Sequence, residues 1–495
     1  ENRAAQFSCA LLIFWQNHES GKTNLRESED DENSDGGERF RSHEPIGFVI
    51  EKIGFGAGQS LVMLASILGW LGDGMQPLLL SFILPSIKRE WPDLSSGLDG
   101  IIGSSLFLGM LAGSFLFGTV ADKIGRRNTL AITSILSVGF TIGGSFSPSP
   151  AVLLIFEILV GFGVGGSLPV CYTLFVEFIP VKRRGFYLAL LAIAWSLGEL
   201  IAAGIAWGVM AEYGWRRLLL ISSVPTGSIL LVLPFIPESP RFLLLKGRER
   251  KAFAVLKKVA RRNNRPLPIS IMGLLPHYKK EPVSPKNAGF FKPLVLLFSK
   301  GMRRQTIVLW LLWFFASGGL IGVIIFLPQY FHAKGIGNGT VYEDIFLTTT
   351  GNVPGIVLAA FLIETKLGRK KTIALFAFLC AAFIFVLGPV NSSTYLIVAS
   401  IGGKFFLYGL WAAIDAYTPE VYPTEERSTG SAAANCMARV AGLISPPIYT
   451  AVLESGLSIW VPLGTWVGLF IATGILALLL PRETLGQDID TELEG

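Results

Sequence analysis

Twelve apolar runs of about 20 residues each dominate this sequence from residue 59 onward. A run of that length crosses the ~30 Å hydrocarbon core of a membrane when it forms a helix. Backbone polar groups in lipid must be satisfied within their own segment, and the runs lack the period-two alternation of barrel strands, so we predict an all-α membrane protein. The predicted spans are 59–87, 99–121, 128–147, 151–179, 186–211, 217–236, 305–331, 345–363, 372–390, 394–418, 428–453 and 458–480.

The composition agrees with a membrane protein and excludes several other classes. Of the 495 residues, 51% are hydrophobic and only 16% are charged, too few to cover a soluble protein of this size. The net charge of +6 does not indicate a nucleic-acid partner, because the basic residues lie in short loops between apolar runs. The four cysteines and four histidines show no metal-ligand or disulfide spacing, so we expect no metal and no cofactor.

Lysine and arginine are unevenly divided between the two sides of the predicted bundle. If residue 59 lies on the cytosolic side, the short inner loops hold eleven of them, namely Lys123, Arg126, Arg127, Lys182, Arg183, Arg184, Lys366, Arg369, Lys370, Lys371 and Arg427. The outer loops hold five, namely Lys88, Arg89, Arg216, Arg217 and Lys334. Because cytosolic loops carry the excess of basic residues, both termini are predicted to be cytosolic. The glycosylation sequons at Asn338 and Asn391 fall in predicted outer loops, which agrees with this orientation.

The spans are predicted to form two six-helix bundles with polar segments around them. The predicted parts are a disordered cytosolic tail at 1–58, a first bundle at 59–236, a basic cytosolic linker at 237–304, a second bundle at 305–480 and a cytosolic tail at 481–495. The first tail includes an acidic run at residues 27–32, which is typical of a solvated segment.

The linker contains a basic stretch with helical periodicity. Between Arg241 and Arg265 it carries ten lysines or arginines and a single acid, Glu249, while Leu256 and Val259 are among the apolar residues at helical spacing. We favour an amphipathic helix that lies on the anionic inner leaflet over a binding site for a specific partner.

An internal repeat relates the two bundles. Matching residues stand 243 positions apart, at Pro85 and Pro328, Gly125 and Gly368, Arg126 and Arg369, Glu177 and Glu420, Pro180 and Pro423, and Arg184 and Arg427. So many matches in the same order exceed what chance supplies. The chain is therefore predicted to be a duplicated six-helix unit.

The loop between the second and third predicted spans carries a recognisable motif. It reads Gly118-Thr-Val-Ala-Asp122-Lys-Ile-Gly125-Arg126-Arg127. With the parallel repeat, it resembles the signature of the major facilitator superfamily of transporters. The resemblance implies twelve transmembrane helices in two pseudo-symmetric bundles, with a solute site between them near the membrane midplane. In the second copy Thr365 replaces the acid of the motif, although Glu364 is adjacent.

Charged residues at the inner ends of the spans are expected to form a cytosolic gate. Gly125 permits a sharp turn after a helix, and the neighbouring arginines can bond terminal carbonyl groups. Asp122 is expected to pair with a cation or a helix N-terminus of the opposite half, with ordinary salt bridges at helix ends as the alternative for each residue. The candidate gate residues are Asp122, Gly125, Arg126, Arg127, Glu177, Arg184, Glu238, Arg241, Gly368, Arg369, Glu420 and Arg427.

Further strings narrow the resemblance. Those at 73–76, 237–241 and 417–424 look like the synaptic vesicle 2-related transporters, and they are similar to organic cation/anion transporters and to bacterial nicotinate or aromatic-acid carriers. This resemblance implies transport of a small organic solute, often coupled to protons. Sugar carriers share the string at 237–241, but the paired glutamines of their seventh helix are absent here. Two positions depart from the relatives: Gln76 replaces a second acid, and Glu157 replaces an arginine.

Charged and polar side chains inside the spans are the candidate site for solute and proton. A charge at membrane depth costs roughly 2.5–3.5 kcal/mol, so each one requires a reason. We favour Asp73 as a proton or substrate-cation site over a structural pair, and leave both readings open for Glu157 and Glu199. Lys404 and Arg439 either neutralise these acids or bind a substrate carboxylate, and we prefer the second. The candidate set is Asp73, Gln76, Glu157, Glu199, Lys404 and Arg439.

The sequence thus predicts a secondary active carrier of a small organic ion or carboxylate, coupled to protons and working by alternating access. Its expected partners are the solute, protons and the lipid bilayer, and we expect a monomer in the plasma membrane or an intracellular vesicle membrane. A carrier similar to sugar/H+ symporters, and a non-transporting receptor or vesicle protein that keeps the fold, remain as alternatives. No nucleophile-and-base constellation or phosphate-binding loop indicates an enzyme or an ATP-driven pump.

Overall fold

A computed structural model describes residues 45–92, 97–180, 184–267, 295–299, 301–333, 341–389, 392–422, 427–455, 458 and 460–484. These residues form twelve membrane-crossing helices, each of which coincides with a predicted span. The helices are Ala57–Glu90 (α1), Leu98–Ile124 (α2), Arg126–Ser145 (α3), Pro150–Val176 (α4), Arg184–Gly227 (α5 and α6), Arg303–Ala333 (α7), Val341–Thr349 with Asn352–Leu362 (α8), Gly368–Val386 (α9), Ser393–Glu420 (α10), Arg427–Glu454 (α11) and Trp460–Leu479 (α12).

One backbone position divides the long segment Arg184–Gly227 into two spans. Gly214 has φ +73° and ψ 179°, which no helix contains, so α5 ends before it and α6 begins after it. A left-handed φ of this kind favours glycine because other residues would bring Cβ against the backbone. The sequence analysis predicted this break between residues 211 and 217.

The helices differ in how apolar they are. Eight helices of the described chain are long and apolar enough to cross a membrane by composition, and one of these eight covers α5 and α6 together. The other three crossing helices, α3, α9 and α11, pack against members of the bundle: α3 packs on α4, α9 on α10 and α12, and α11 on α2 and α7.

The contacts between helices repeat from one half to the other. In the first half α1 packs on α5, α2 on α4 and α3 on α4; in the second half α7 packs on α11, α8 on α10 and α9 on α10. These pairs correspond under the 243-residue repeat, as the duplication predicts. The halves meet through α1 with α7, α2 with α11, and α5 with α8.

Glycines allow α2 and α4 to approach until their backbones touch. A Cβ on Gly161 would lie 2.0 Å from the carbonyl oxygen of Leu106, and one on Gly165 would lie 2.1 Å from that of Met110. In the second half, a Cβ on Gly355 of α8 would lie 1.9 Å from the carbonyl oxygen of Phe405 in α10. Small residues at helix interfaces serve this purpose in membranes, where packing replaces the hydrophobic effect.

Two expectations for the polar segments need correction. Residues 45–53, which the sequence analysis assigned to a disordered tail, form a helix, Pro45–Ile53, whose Ile46 and Val49 are buried. The basic linker stretch does form a helix, Glu249–Arg262, but its apolar face contacts protein rather than lipid. Its Leu256 and Val259 belong to the same buried cluster as the helix Pro45–Ile53, which explains both departures.

A polar joint fixes this linker helix to the start of α1. The Asn263 side-chain amide donates to the carbonyl oxygen of Gly54 at 3.1 Å and to Gln59 Oε1 at 2.7 Å, and its oxygen accepts from the backbone N–H of Gly58 at 2.8 Å. Residues 1–44, 268–294 and 485–495, and the sequons at Asn338 and Asn391, lie outside the described residues.

We expect Gly161→Ala to destabilise the first half. The added methyl would meet the carbonyl oxygen of Leu106, so α2 and α4 must separate, at a cost of about 1–3 kcal/mol. Thermal unfolding of the purified protein in detergent should show a lower midpoint. The matched control Gly139→Ala adds a methyl with no atom within 4 Å in α3 and should leave the midpoint unchanged or slightly higher. Equal effects of the two substitutions would contradict this account of the packing.

Candidate functional site

Four charged groups, Asp73, Glu199, Lys404 and Arg439, lie where the two halves face each other. We call the end of the bundle where α2 meets α3, at Gly125, the linker end, and the opposite end the far end. Near the far end the halves touch directly, with the rings of Phe82 and Tyr342 at 5.5 Å and those of Trp207 and Phe346 at 5.5 Å. The contacts between the halves that are described here lie between the middle of the bundle and this far end.

The first cluster is built around Asp73 of α1. This carboxylate is 3% exposed and accepts a hydrogen bond from the Ser167 hydroxyl of α4. Arg439 of α11, in the other half, acts on it electrostatically. The Arg439 Nη1 atom lies 3.3 Å from the Met110 sulfur of α2, and its Nε has no hydrogen-bond partner among the described residues. The cluster therefore joins an acid of one half with a cation of the other.

Gln76 follows Asp73 by one helical turn but faces another neighbour. Its Nε2 lies 3.5 Å from the Thr141 hydroxyl oxygen of α3, within the first half. Gln76 is thus buried beside α3 rather than bonded within the Asp73 cluster, although the sequence analysis grouped the two.

The second cluster is built around Glu199 of α5, which is fully buried. Its carboxylate accepts hydrogen bonds from the Tyr408 hydroxyl of α10, from Asn352 Nδ2 of α8 at 3.1 Å and from Trp195 Nε1 at 3.3 Å. Two of these donors come from the second half. Glu199 therefore ties the halves together through bonds that satisfy a buried charge.

Lys404 lies one turn before Tyr408 on α10 and completes this cluster. Its side chain is 1% exposed, and the charge of Glu199 acts on it. The ammonium nitrogen has no hydrogen-bond partner among the described residues, and neither do Ser400 Oγ and Asn352 Oδ1. A buried ammonium without acceptors is costly, so this region is suited to an occupant that supplies them.

The two clusters are separated by a close contact between α1 and α5. A Cβ on Gly74, which follows Asp73, would lie 2.5 Å from the backbone oxygen of Trp195. Each cluster combines an acid of the first half with a cation of the second. The sequence predicts all four charges as candidates but does not assign these pairs.

Glu157 of α4 does not join either cluster. It is 5% exposed, and among the described residues no hydrogen bond or charged group acts on its carboxylate. Its neighbour one turn on, Gly161, packs on Leu106 of α2, so Glu157 lies on the α2-facing side of its helix.

Asp415 of α10 was missed by the sequence analysis. It stands eleven residues, or about three turns, after Lys404, and hence on the same face of the helix as Lys404 and Tyr408. Unlike them it is exposed, although its helix crosses the membrane. The signal was present, because an acid inside the run 394–418 needs a reason as much as the others did.

At the linker end of the first half, Arg126 binds two acids. Its Nη2 lies 3.0 Å from Asp122 Oδ1, and its Nε lies 3.5 Å from Glu177 Oε1. Gly125 makes the turn before it with φ +105°. Glu238 Oε1 accepts from the backbone N–H groups of Arg126 at 2.9 Å and Arg127 at 3.2 Å, which satisfies free donors at the start of α3.

The second half repeats this arrangement with different residues. Arg369 Nη2 lies 3.0 Å from Glu364 Oε1, and its Nε lies 3.0 Å from Glu420 Oε2, after a turn at Gly368 with φ +74°. Glu364 thus serves as the acid of the motif in the second half, where Thr365 stands at the position of Asp122. Glu483, which sequence reasoning missed, accepts from the backbone N–H groups of Arg369 and Lys370 at 2.8 and 3.1 Å, as Glu238 does in the first half.

These bonds correct one expectation about the gate. Asp122 pairs with Arg126 of its own half rather than with a group of the opposite half. The two residues are four positions apart, on either side of the turn between α2 and α3, so their side chains meet. Arg241 lies in the short helix Pro240–Leu245, where its charge acts on Glu177. The side chains of Arg184 and Arg427 lie outside the described residues.

Comparison with known proteins now places the chain. The family model described as "Sugar (and other) transporter" matches residues 45–491. The chain is 30% identical to "Organic cation/carnitine transporter 7" of Arabidopsis thaliana, over 93% of this chain and 98% of that protein. It is 32% identical to "Synaptic vesicle 2-related protein" of Bos taurus, over 89% of this chain and 81% of that protein.

A solved structure has the same fold. The xylose transporter XylE of E. coli, in a partially occluded inward-open conformation, superposes with a TM-score of 0.72 and 18% identity, over 88% of this chain and all of that one. The chain belongs to the sugar (and other) transporter family of the major facilitator superfamily. It is a membrane-spanning transporter of small solutes rather than an enzyme.

We expect Tyr408→Phe to weaken the bond between the halves. The change removes one donor from the buried Glu199 carboxylate and should cost about 1.5–3 kcal/mol. Thermal unfolding should show a lower midpoint than for the wild-type protein. Tyr395→Phe removes a hydroxyl from a side chain that is 69% exposed on the same helix, and it should have no effect. A Tyr408→Phe midpoint equal to that of the control would show that the hydroxyl does not stabilise Glu199.

Proposed function

We propose that this protein is a proton-coupled secondary carrier of a small organic carboxylate that works by alternating access. The observation that carries the proposal is the unbonded Lys404 ammonium, buried between the halves beside a Glu199 whose own bonds are already made. An occupant with an anionic oxygen would supply the missing acceptor. A carrier needs such a group in the interior, whereas a purely structural ion pair would leave no donor free.

Asp73 is the proposed proton site. Its charged form attracts Arg439 of the opposite half, and protonation would cancel that attraction. Arg439 would then be free to bind an anionic group of the solute with its planar fork. Proton uptake and solute binding would thus favour each other, which is what coupling requires.

Aromatic side chains support a flat or ring-bearing solute. The rings of Trp313 and Trp411 lie 5.1 Å apart, on α7 and α10. The indole N–H groups of Trp310 and Trp411 have no acceptor among the described residues, so they too can donate to an occupant. Indoles offer an apolar face together with one polar atom, a combination suited to organic ions.

The proposed motion is a rocking of the two halves about this site. The contacts near the far end and the exposed Asp415 nearer the linker end support an opening toward the linker end. The bias of lysine and arginine supports a cytosolic linker end, with both termini on that side. We further propose that the carrier works as a monomer, without a cofactor.

Two alternatives stay distinguishable. A sugar/H+ symporter-like carrier would bind a neutral solute, which would offer the Lys404 ammonium no anionic acceptor. A receptor or vesicle protein that keeps the fold would bind without uptake. The name of the Arabidopsis relative suggests carnitine, an organic carboxylate, as a first probe beside nicotinate.

Asp73→Asn should abolish accumulation driven by protons while exchange remains. In proteoliposomes with an acidic exterior, the wild-type protein should concentrate its solute by about tenfold per pH unit for one coupled proton. The variant should equilibrate the solute without concentrating it, and Glu212→Gln, an exposed carboxylate at the far end, should behave as wild type. Wild-type uptake that is independent of the pH gradient but lost in Asp73→Asn would assign this acid to the solute instead.

Lys404→Gln should weaken binding of organic carboxylates. Loss of a charge-assisted bond should raise KM by about tenfold or more in proteoliposome uptake of labelled nicotinate or carnitine. Lys371→Gln, an exposed lysine of α9, serves as the control and should keep the wild-type KM. An unchanged KM in Lys404→Gln would remove this residue from the site and favour a neutral solute.

A further inference from the structure

A charged cleft lies at the linker end, apart from the central site. It has a volume of about 270 Å³ and is formed by the α2–α3 junction on one side and the linker helices Pro240–Leu245 and Glu249–Arg262 on the other. Among its lining residues are three cations, Arg127, Arg248 and Lys251. None of these takes part in the proposed transport chemistry.

The linker-end cleft keeps an excess of positive charge, because three cations and one acid, Glu238, line it. Glu238, the carboxylate that lines it, already accepts from the backbone N–H groups of Arg126 and Arg127 and from that of Ser239 at 3.0 Å. Arg127 is held in place because its Nε donates to the carbonyl oxygen of Leu233 at 3.1 Å and its Nη2 to that of Pro234 at 3.2 Å. One terminal nitrogen of Arg127 remains for another acceptor.

The other two cations lie at the start of the linker helix. Arg248 is its N-cap residue and Lys251 is in its first turn, and both are exposed. Within the described part of the chain, no side chain of the N-cap residue bonds the first backbone N–H groups of this helix, while the Lys251 N–H donates to the carbonyl oxygen of Arg248 at 3.0 Å. The helix dipole adds to the two cations, and Glu249 of the same turn offsets part of this field. The three cations that line the cleft still outnumber its one lining acid, so the cleft favours an anion.

Exposed apolar residues near the cleft are consistent with a position at the level of the lipid headgroups. Ile124 lines the cleft and is 41% exposed. Phe235, in the turn that follows α6, is 64% exposed, and Leu245, the last residue of the helix Pro240–Leu245, is 42% exposed. Exposed apolar side chains at the ends of membrane-crossing helices face lipid. An amphiphile could thus set its chains against them and its charged group in the cleft.

We propose that the linker-end cleft binds the phosphate-bearing headgroup of an anionic membrane lipid, with Arg127, Arg248 and Lys251 as its ligands. The basic helix meets the membrane surface through this defined cleft, since its apolar face is already buried against protein. A bound headgroup would brace the linker against the α2–α3 junction, where Glu238 holds the start of α3.

The double substitution Arg248→Gln with Lys251→Gln tests the assignment. Thermal unfolding of the full chain in neutral detergent would be followed as phosphatidylglycerol or phosphatidylcholine is added. The wild-type midpoint should rise with phosphatidylglycerol only, and the double variant should need about tenfold more of it for half the effect. Lys257→Gln with Arg261→Gln removes the same charge from exposed positions of the same helix outside the cleft and should change that amount by less than about twofold.

Three results would overturn the proposal. Equal losses in the two double variants would mean that the helix attracts anionic lipid without a defined site. An equal rise with phosphatidylcholine would mean that the headgroup charge is not recognised. An equal rise with inorganic phosphate at matched concentration would assign the cleft to a free anion instead of a lipid.

Discussion

An ion buried between the two halves must find its counterpart across the interface, and this requirement organises the centre of the molecule. Glu199 of α5 meets donors from α8 and α10, and Asp73 of α1 meets the field of Arg439 from α11. Because water cannot compensate these charges, any motion that parts the halves must supply new partners. In our account a proton is the new partner of Asp73, and a solute anion is the new partner of Lys404.

Duplication explains why the ends of the halves are built alike. In each half, an arginine that follows a glycine with positive φ binds two acids. A further acid, which follows the last helix of that half, accepts from the backbone N–H of this arginine at the start of its helix. These bonds stay within one half, so each bundle can move as a rigid body. The bonds between halves lie deeper, at the clusters of Asp73 and Glu199, where a ligand can reach them.

Much of this was predictable because lipid imposes simple rules on a chain. The spans and the break near Gly214 follow from length and hydropathy, and the repeat follows from matching residues 243 positions apart. The five charged candidates follow from the cost of a charge at membrane depth, and Glu364 was noted beside Thr365. Which acid faces which cation was not predictable, because Asp73 and Arg439 are far apart in sequence, as are Glu199 and Lys404. The helix Pro45–Ile53 was missed because its stability comes from the linker helix that packs on it. Gln76 was grouped with Asp73, but its side chain faces Thr141 of α3 instead.

The most direct test of the central claim measures the two ends of the bundle at once. In a cysteine-free background, spin labels at Lys123 and Lys366, which are exposed repeat counterparts at the linker end, report one distance, and labels at Glu212 and Tyr395 report the far end. On addition of a transported carboxylate at acidic pH, the linker-end distance should shorten while the far-end distance lengthens. Distances that stay fixed, or change in the same direction, under conditions in which uptake proceeds would contradict the rocking of two bundles about a buried charged site.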